Sequence, residues 1–180
     1  MRVITGTAKS RRLQTLPGND VRPTSERVKE AIFSIIQFEI DGRHVLDLFA
    51  GTGQLGIEAL SRNAASATFI DNSSASIQTV KANLQKTGLF AKAKVLYTDY
   101  EMYLKNCKQK YDIAFLDPPY HEGIMEKALR LTAQNMSEHG IIICEHYIHQ
   151  YMPQEVEAFF LHKSHKFGKT IISVYRKGES

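Results

Sequence analysis

Short apolar runs alternate along the chain with segments whose apolar residues recur at helical spacing. The runs predict five strands, at 45–49, 67–70, 94–97, 112–116 and 141–144, and four of them end at an acid or at a Gly/Pro turn. Helical spacing between the runs predicts crossover helices, marked by Leu55, Ile57 and Leu60; by Ile77, Val80 and Leu84; and by Ile124, Leu129 and Met136. A short helix at about 100–107 completes the series.

This regular alternation predicts βαβ units with right-handed crossovers. They form a mostly parallel, Rossmann-like sheet with helices on both faces. Further along the chain, 159–166 and 170–176 flank Gly168, a pattern typical of an antiparallel hairpin. The expected fold class is therefore α/β, with seven strands in the sheet and the last ones antiparallel.

The residues before the first run predict a small extension ahead of the sheet. Val3, Ile4 and 12–14 suggest a β-hairpin, and Thr24 or Ser25 can cap a helix that follows. A length of 180 residues fits a single domain. Its expected parts are a basic hairpin arm (1–23), a leading helix (24–40) and a core that forms the sheet (41–180).

The composition excludes several classes of protein. Hydrophobic residues make up 43% of the chain and charged residues 23%, which argues against disordered, collagen-like and coiled-coil proteins. The apolar runs are far shorter than the ~18–20 residues that cross a bilayer, and the N-terminal residues lack the pattern of a signal peptide. Cys107 and Cys144 lie outside any CxxC motif. We expect a cytoplasmic protein with reduced thiols and no membrane partner.

Positive charge is concentrated near the start of the chain. Residues 1–29 contain seven Lys/Arg and two acids, a net charge of +5, whereas the whole chain carries +4. A cationic arm favours a polyanionic partner, because each Lys or Arg placed on a phosphate releases a condensed counterion. The alternative is a surface hairpin whose positive side chains are only solvated and bind no partner. Charge alone leaves both interpretations open.

A glycine-rich segment, DLFAGTGQLG at 47–56, follows the first predicted strand and opens the next helix. Glycines there let a ligand approach the backbone, and the helix N-terminus offers free amides. Asp71 lies 20 residues after Gly51, at the end of the second strand, where an acid can bind a ribose diol. A dinucleotide site and an adenosyl site fit equally well. A glycine turn that only packs the helix against the sheet is the structural alternative.

The motif DPPY at 117–120 directly follows the fourth predicted strand. Its two prolines fix the backbone and remove two amide donors, so the turn is rigid and rich in acceptors. An ionised Asp117 and the carbonyl of Pro118 both accept hydrogen bonds, and Tyr120 offers a face for stacking. These groups suit the binding of a planar base with an exocyclic amine. An enzyme that transfers hydride has no evident need for them. A plain Pro-Pro turn with a surface tyrosine is the structural alternative.

Together the motifs are similar to those of the class I, S-adenosylmethionine-dependent amino-methyltransferases. More closely, the chain resembles the bacterial 16S ribosomal RNA guanine-N2 methyltransferases in its start at 2–6, in RRL at 11–13, in RPTSERVKEAIF at 22–33 and in LGIEALSR at 55–62. The resemblance covers essentially the whole chain. Its departures are a strand at 112–116 that ends Phe-Leu instead of being rich in valine, and a loosely matched tail after Gln150.

The resemblance implies a cofactor, S-adenosyl-L-methionine, and a role for each motif. Asp71 binds its ribose hydroxyls, Gly51 and Gly53 line its methionine and ribose, and Asp99 accepts from the adenine amine. The full expected cofactor-binding set is Asp47, Phe49, Gly51, Gly53, Asp71, Asn72, Asp99 and Tyr100. The expected catalytic set is Asp117, Pro118, Pro119 and Tyr120. The expected RNA-binding set is Arg2, Lys9, Arg11, Arg12, Arg22, Thr24 and Arg27.

The expected activity is methyl transfer to the N2 amine of one guanine in 16S rRNA, which gives N2-methylguanine and S-adenosylhomocysteine. Adenine-N6 methylation of DNA or RNA is the alternative that DPPY leaves open, and an NAD-binding reductase or a non-catalytic RNA-binding module are more remote ones. The expected partner is rRNA, free or in an assembling small subunit, and the enzyme is expected to be a monomer. Cys144, His146 and His149 have no second cluster to complete a zinc site, so we expect no metal. Glu145 is a further candidate for lining the pocket.

Overall fold

The computed structural model describes residues 1–16, 24–119 and 123–178. Within these ranges, one eight-stranded sheet is surrounded by five α-helices. The strands are β1 His44–Asp47, β2 Ser66–Asp71, β3 Ala93–Tyr97, β4 Tyr111–Leu116, β5 Met136–Tyr147, β6 Glu155–Val156, β7 Phe159–Phe167 and β8 Thr170–Lys177. The helices are α1 Glu26–Ile35, α2 Gln54–Ser61, α3 Ser74–Thr87, α4 Tyr100–Asn106 and α5 Ile124–Ala133. None of these helices is long and apolar enough to cross a membrane.

The strand order across the sheet is β3-β2-β1-β4-β5-β8-β7-β6. Strands β1 to β5 pair in parallel, whereas β8 runs antiparallel to both β5 and β7. This confirms the predicted Rossmann-like sheet with an antiparallel hairpin at its C-terminal side. The direction of winding reverses between β1 and β4, and open sheets of this kind bind their ligands at such a reversal.

Two details of the sequence prediction are wrong. The sheet has eight strands instead of seven, because the two-residue strand β6 pairs with the start of β7. Met136, predicted on a helix, begins β5, where it pairs with Tyr111 ahead of the main ladder. The register shifts between Tyr111 and Ile113, so β5 starts before its apolar run does.

Helices cover both faces of the sheet, as predicted. On one face, residues of α1 and α2 such as Ile32 pack with Phe69 and Phe115 of the strands. On the other face, Leu129 of α5 packs with Leu116 of β4. Alternate residues of a strand face opposite sides, which is why the neighbours Phe115 and Leu116 lie in different cores.

The leading helix α1 begins at its predicted cap. The side chain of Ser25 accepts a hydrogen bond from the backbone N–H of Val28 at 3.3 Å. This bond satisfies one of the amides that the first turn leaves without a helical partner. From there, Ile32 and Phe33 are both buried and anchor the helix on the sheet.

The N-terminal segment folds onto α2. Its predicted hairpin is reduced to one antiparallel bridge between Arg2 and Arg12, while Val3 is buried in the core. Gly6 has a φ of +87°, and a Cβ at this position would lie 1.8 Å from the carbonyl oxygen of Ser61. Only glycine allows both this backbone conformation and this close approach. The arm is therefore attached to the core at the end of α2.

Candidate active site

The parallel strands bring four acidic residues to one edge of the sheet. Asp47 ends β1, Asp71 ends β2, Asp117 follows β4, and Glu145 lies near the end of β5. We call this side of the sheet the carboxyl edge. The motifs of the sequence analysis therefore meet in space, because parallel strands all end on the same side.

The glycine loop after β1 leaves its backbone open to a ligand. Gly51 has a φ of +54° and Gly53 a φ of +77°, and Gly53 is the N-cap of α2. A Cβ at Gly51 would meet no atom within 4 Å, so a ligand can approach the backbone there. Gly56 has a different function, since a Cβ at that position would lie 2.3 Å from the ring of Phe69. The segment combines an accessible turn with a helix packed tightly on the sheet.

Asp71 holds this loop in place. Its Oδ2 accepts a hydrogen bond from the backbone N–H of Gly51 at 2.8 Å, and its Oδ1 accepts one from Ser73 at 2.8 Å. The residue is partly exposed. Because each carboxylate oxygen can accept more than one hydrogen bond, Asp71 can bind ribose hydroxyls while it keeps the loop in position.

Asp47 lies beneath the loop. The residue is 3% exposed, and its Oδ2 accepts a hydrogen bond from the backbone N–H of Gly56 at 2.9 Å. Burial raises the pKa of Asp47 to about 7 against the effect of the hydrogen bond from Gly56, and repulsion from Asp71 adds to the rise. The structure therefore gives Asp47 a supporting position under the loop, and its expected contact with the cofactor stays a prediction.

The other expected cofactor residues lie on the loops after β1, β2 and β3. The rings of Phe49 and Tyr100 pack with their centroids 5.2 Å apart and their planes at 48°, and both residues are partly exposed. Asp99 is the N-cap of α4, where its Oδ1 accepts from the backbone N–H of Glu101 at 2.8 Å. Asn72 is exposed directly after β2. The contact of Asp99 with adenine stays a prediction.

One buried polar atom near the loop fits a ligand that donates hydrogen bonds. Gln54, the first residue of α2, is 6% exposed, and its Oε1 has no hydrogen-bond partner within the described ranges. A buried acceptor without a partner costs ~1–3 kcal/mol, and the methionine ammonium of S-adenosylmethionine is a suitable donor. With the open backbone at Gly51 and the carboxylate of Asp71, these residues fit that cofactor.

Asp117 lies in a polar cluster with Thr24 and Glu145. The hydroxyl of Thr24 donates to Oε2 of Glu145 at 2.7 Å, and as a hydrogen-bond donor it also lowers the pKa of Asp117. Burial, and after it repulsion from Glu145 and Asp47, hold the pKa of Asp117 well above its usual range. Ionising both Asp117 and Glu145 costs free energy because the two negative charges repel each other. A ligand that donates hydrogen bonds to the two carboxylates lowers this free energy.

The rest of the DPPY turn is described only in part. Pro118 is buried and Pro119 is exposed. Tyr120 lies outside the described residues, so its predicted stacking role stays a prediction.

The expected RNA-binding residues fall into three groups. Five of them are exposed, namely Arg2, Lys9, Arg11, Arg12 and Arg27. Among these, Arg2 lies 3.4 Å from the carboxylate of Glu26. Thr24 is 6% exposed and donates to Glu145, so it belongs to the polar cluster and not to an outer surface. Arg22 lies outside the described residues.

Lys29 was counted with the basic arm from the sequence, but it does not contribute to an exposed surface. It is fully buried, its Nζ donates to the carbonyl oxygen of Arg2 at 2.6 Å, and it lies 3.9 Å from Oε2 of Glu58. The two oxygens of Glu58 also accept from the backbone N–H groups of Ile4 and Thr5, at 2.7 and 3.0 Å. Sequence reasoning missed this link, as it missed the orphaned Oε1 of Gln54.

Of the residues that resembled a metal cluster, Cys144 and His146 pack within the sheet, whereas His149 is exposed after the end of β5. Cys144 is buried, and burial raises the pKa of its thiol. Nε2 of His146 lies 2.8 Å from the hydroxyl of Ser173 on the neighbouring strand. Across the described part of the chain, no group of three or more His, Cys, Asp or Glu side chains could hold a metal ion.

Comparison with known proteins places the whole chain in one group. Residues 1–176 match the family model described as conserved hypothetical protein 95. The Bacillus subtilis (strain 168) protein YlbH is 39% identical over 182 residues, which cover 98% of this chain and 99% of YlbH. The ribosomal RNA small subunit methyltransferase D of Escherichia coli (strain K12) is 31% identical over 185 residues, which cover 100% of this chain and 93% of that protein.

This chain is also similar in fold to proteins whose structures have been solved. The structure of yhhF from Escherichia coli has a TM-score of 0.90 at 30% identity and covers 100% of this chain and 99% of its own. An RNA methyltransferase from Salinibacter ruber, in complex with S-adenosyl-L-homocysteine, has a TM-score of 0.70 at 12% identity, with 88% of this chain and 95% of that chain covered. At 12% identity the likeness concerns the fold alone.

Proposed function

This chain belongs to the family described as conserved hypothetical protein 95, and on that premise we propose that it transfers a methyl group from S-adenosylmethionine to the N2 amine of a guanine in small-subunit ribosomal RNA. One observation carries the proposal. The open glycine loop and the Asp117-Pro118 turn lie at the same carboxyl edge of a Rossmann-like sheet. The full-length similarity to a small-subunit rRNA methyltransferase supports the choice of RNA.

We assign the cofactor to the glycine loop and the residues around it. Asp71 binds the ribose hydroxyls, the backbone at Gly51 and Gly53 lines the methionine and ribose, and Oε1 of Gln54 accepts from the ammonium group. Phe49 and Tyr100 offer apolar ring faces beside the adenine. When bound, S-adenosylmethionine supplies an activated methyl group on its sulfonium sulfur.

Asp117 and Pro118 act on the base. The N2 amine of guanine is a poor nucleophile because its lone pair is delocalised into the ring. Asp117 and the carbonyl of Pro118 accept its two hydrogens, which favours a pyramidal nitrogen and stabilises the positive charge that develops on it. A paired or stacked base cannot reach this edge, so the target guanine is unpaired or flipped, and Tyr120 is proposed to stack on it.

The arm and the first turn of α1 supply the contact with RNA phosphates. Lys9, Arg11, Arg12 and Arg27 are exposed, and positively charged side chains bind the nucleic-acid backbone without reading its sequence. We propose ribosomal RNA as the partner, free or in an assembling small subunit. On this proposal the enzyme works as a monomer, in the cytoplasm and without a metal ion.

The deciding experiment is a map of methylated guanines in small-subunit rRNA. RNA from cells that lack this protein is incubated with the purified enzyme and S-adenosylmethionine, digested, and analysed by mass spectrometry. We expect one new N2-methylguanine with the wild-type protein and far less of it with Asp117→Ala in the same incubation time. N6-methyladenine in its place would support the adenine alternative, and tight binding of NADH without binding of S-adenosylmethionine would support a reductase.

A further inference from the structure

Asp117 and Glu145 occupy equivalent positions on neighbouring strands. Leu116 of β4 and Cys144 of β5 are register partners in a parallel pair, and each is followed by one of the two acids. Adjacent strands are about 4.8 Å apart, so the two carboxyl groups can reach neighbouring atoms of one ligand. Repulsion between the two carboxyl groups contributes to the raised pKa of Asp117, which supports this placement.

Thr24 ties this pair to the segment before α1. Its hydroxyl donates to Oε2 of Glu145 at 2.7 Å, and its carbonyl oxygen lies 3.4 Å from Nε2 of Gln54. A hydroxyl has a single proton, so it can serve only one of the two carboxyl groups at a time. Glu145 is thereby held in one orientation beside Asp117, with Gln54 linking the pair to the helix that follows the glycine loop.

The bases that carry an exocyclic amine differ in the atom next to it. Guanine presents an N1–H donor beside its N2 amine, whereas adenine presents a lone pair on N1 beside its N6 amine. Enzymes that extract a base read this Watson–Crick edge by hydrogen bonds. The carboxylates of Asp117 and Glu145 are two adjacent acceptors, which match the N2 amine and the N1–H of guanine. With adenine, one carboxylate would face the lone pair on N1 and be repelled by it.

We propose that Glu145 accepts the N1–H of the target guanine while Asp117 accepts from the N2 amine, which makes Glu145 the residue that selects guanine over adenine. The inference rests on the proposed function and deepens it. It supplies the discrimination that DPPY lacks, because that motif binds any exocyclic amine.

The first test uses the wild-type enzyme and two synthetic RNAs that span the mapped site. One carries guanine at the target and the other carries 2-aminopurine, which keeps the C2 amine but has a lone pair on N1. A hydrogen bond to a charged group leads us to expect that kcat/KM is about 10- to 100-fold lower for 2-aminopurine. Equal values would overturn the role of Glu145 without touching the proposed function. Methylation of adenine, or of no base, would overturn both.

The second test exchanges the carboxylate for an amide. In Glu145→Gln the side chain can turn an N–H toward the N1 lone pair, so the guanine to 2-aminopurine ratio should fall about tenfold or more. The matched control is Glu138→Gln, the same exchange at an exposed position of β5, for which the ratio should stay at the wild-type value. Binding of S-adenosylmethionine by each variant verifies its fold. An unchanged ratio in a folded Glu145→Gln protein would reject the proposal.

Discussion

Nζ of Lys29 lies 3.9 Å from Oε2 of Glu58, and both side chains are fully buried. Burial lowers the pKa of Lys29, and the neighbouring Glu58 opposes this effect. Arg62 contacts the same carboxylate, with its Nε 2.8 Å from Oε1. Since Glu58 also accepts from two backbone amides of the arm, one buried carboxylate joins the arm, α1 and α2.

The first prediction follows from this junction. Glu58→Ala removes the partner of a buried lysine and of two arm amides, so we expect the free energy of unfolding to fall by about 3–5 kcal/mol. Limited proteolysis should then cleave the arm first. The control is Glu26→Ala, which removes a surface pair with Arg2 and should cost less than about 1 kcal/mol. Equal stability of the two variants in urea unfolding would contradict the assigned role of Glu58.

The second prediction concerns Asp47 and pH. Its folded pKa of about 7 lies above the ordinary value for an aspartate, so the folded protein keeps a proton that the unfolded chain has lost. Stability therefore falls as the pH rises from about 4 to about 7, by at most ~4 kcal/mol for this group. Asp47→Asn keeps an acceptor for Gly56 and carries no charge. We expect its unfolding free energy, measured from pH 5 to pH 8 without cofactor, to vary less with pH than that of the wild type; parallel curves would refute the shift.

The third prediction separates the functions of Asp71. Asp71→Ala should weaken S-adenosylmethionine binding about 10- to 100-fold, because both the ribose hydroxyls and the loop amides of Gly51 and Ser73 lose their acceptor. Asp71→Asn keeps one acceptor oxygen and should lose less affinity. Isothermal titration calorimetry of both variants measures this. An unchanged affinity of the alanine variant would exclude Asp71 from the cofactor site.

The fourth prediction assigns Asp117 to the base and not to the cofactor. Asp117→Ala should lower the rate of methyl transfer about 10²- to 10³-fold, the usual effect of one lost electrostatic contact with the transition state. Its affinity for S-adenosylmethionine should stay within a few fold of wild type. The measurements are the methyl-transfer rate with radiolabelled S-adenosylmethionine and the calorimetric affinity for S-adenosylmethionine, for both the variant and the wild type. Near-normal turnover would leave Asp117 without a catalytic role.

The fifth prediction concerns the arm. Changing Arg11 and Arg12 together to Ala should weaken RNA binding and flatten the slope of log affinity against log salt by up to about two units, roughly 0.7 to 0.9 per lost phosphate contact. Cofactor binding and thermal stability should hardly change, since both side chains are exposed. The control is the exposed pair Lys81 and Lys86 on α3, changed in the same way. If the slopes of all three proteins coincide, the arm is only a solvated hairpin.

The strands β1 to β5 could be predicted because each holds a short apolar run, and an acid or a turn closes four of the five runs. The two residues of β6 are too few to show any periodicity. Met136 continues the apolar spacing of α5, so the sequence alone favours the helix. Its place in β5 depends on pairing with Tyr111, a contact between strands that no local pattern encodes.

Part of the candidate site could be predicted from the sequence, as could part of the fold. Asp71 and Asp117 follow apolar strands, and parallel pairing brings such residues together without further information. Thr24 and Glu145, in contrast, lie 121 positions apart, and Lys29 lies 29 positions before Glu58. Neither pair has a spacing that marks it. A charged residue in the apolar stripe of a helix is a weak signal of a buried pair, and Lys29 next to Val28 is such a case.

The position of β8 has a consequence for how the protein is made. It is the last of the described strands in chain order, yet it lies between β5 and β7 and covers residues 141–147 of β5. At about 5–20 residues per second of translation, the nascent chain carries that apolar edge unpaired for seconds, a state in which strand edges pair with other chains. Glu145 is opposite Ile172 in the finished ladder. The strand that carries Glu145 therefore gains its second neighbour only after the other described strands of the sheet have been synthesised.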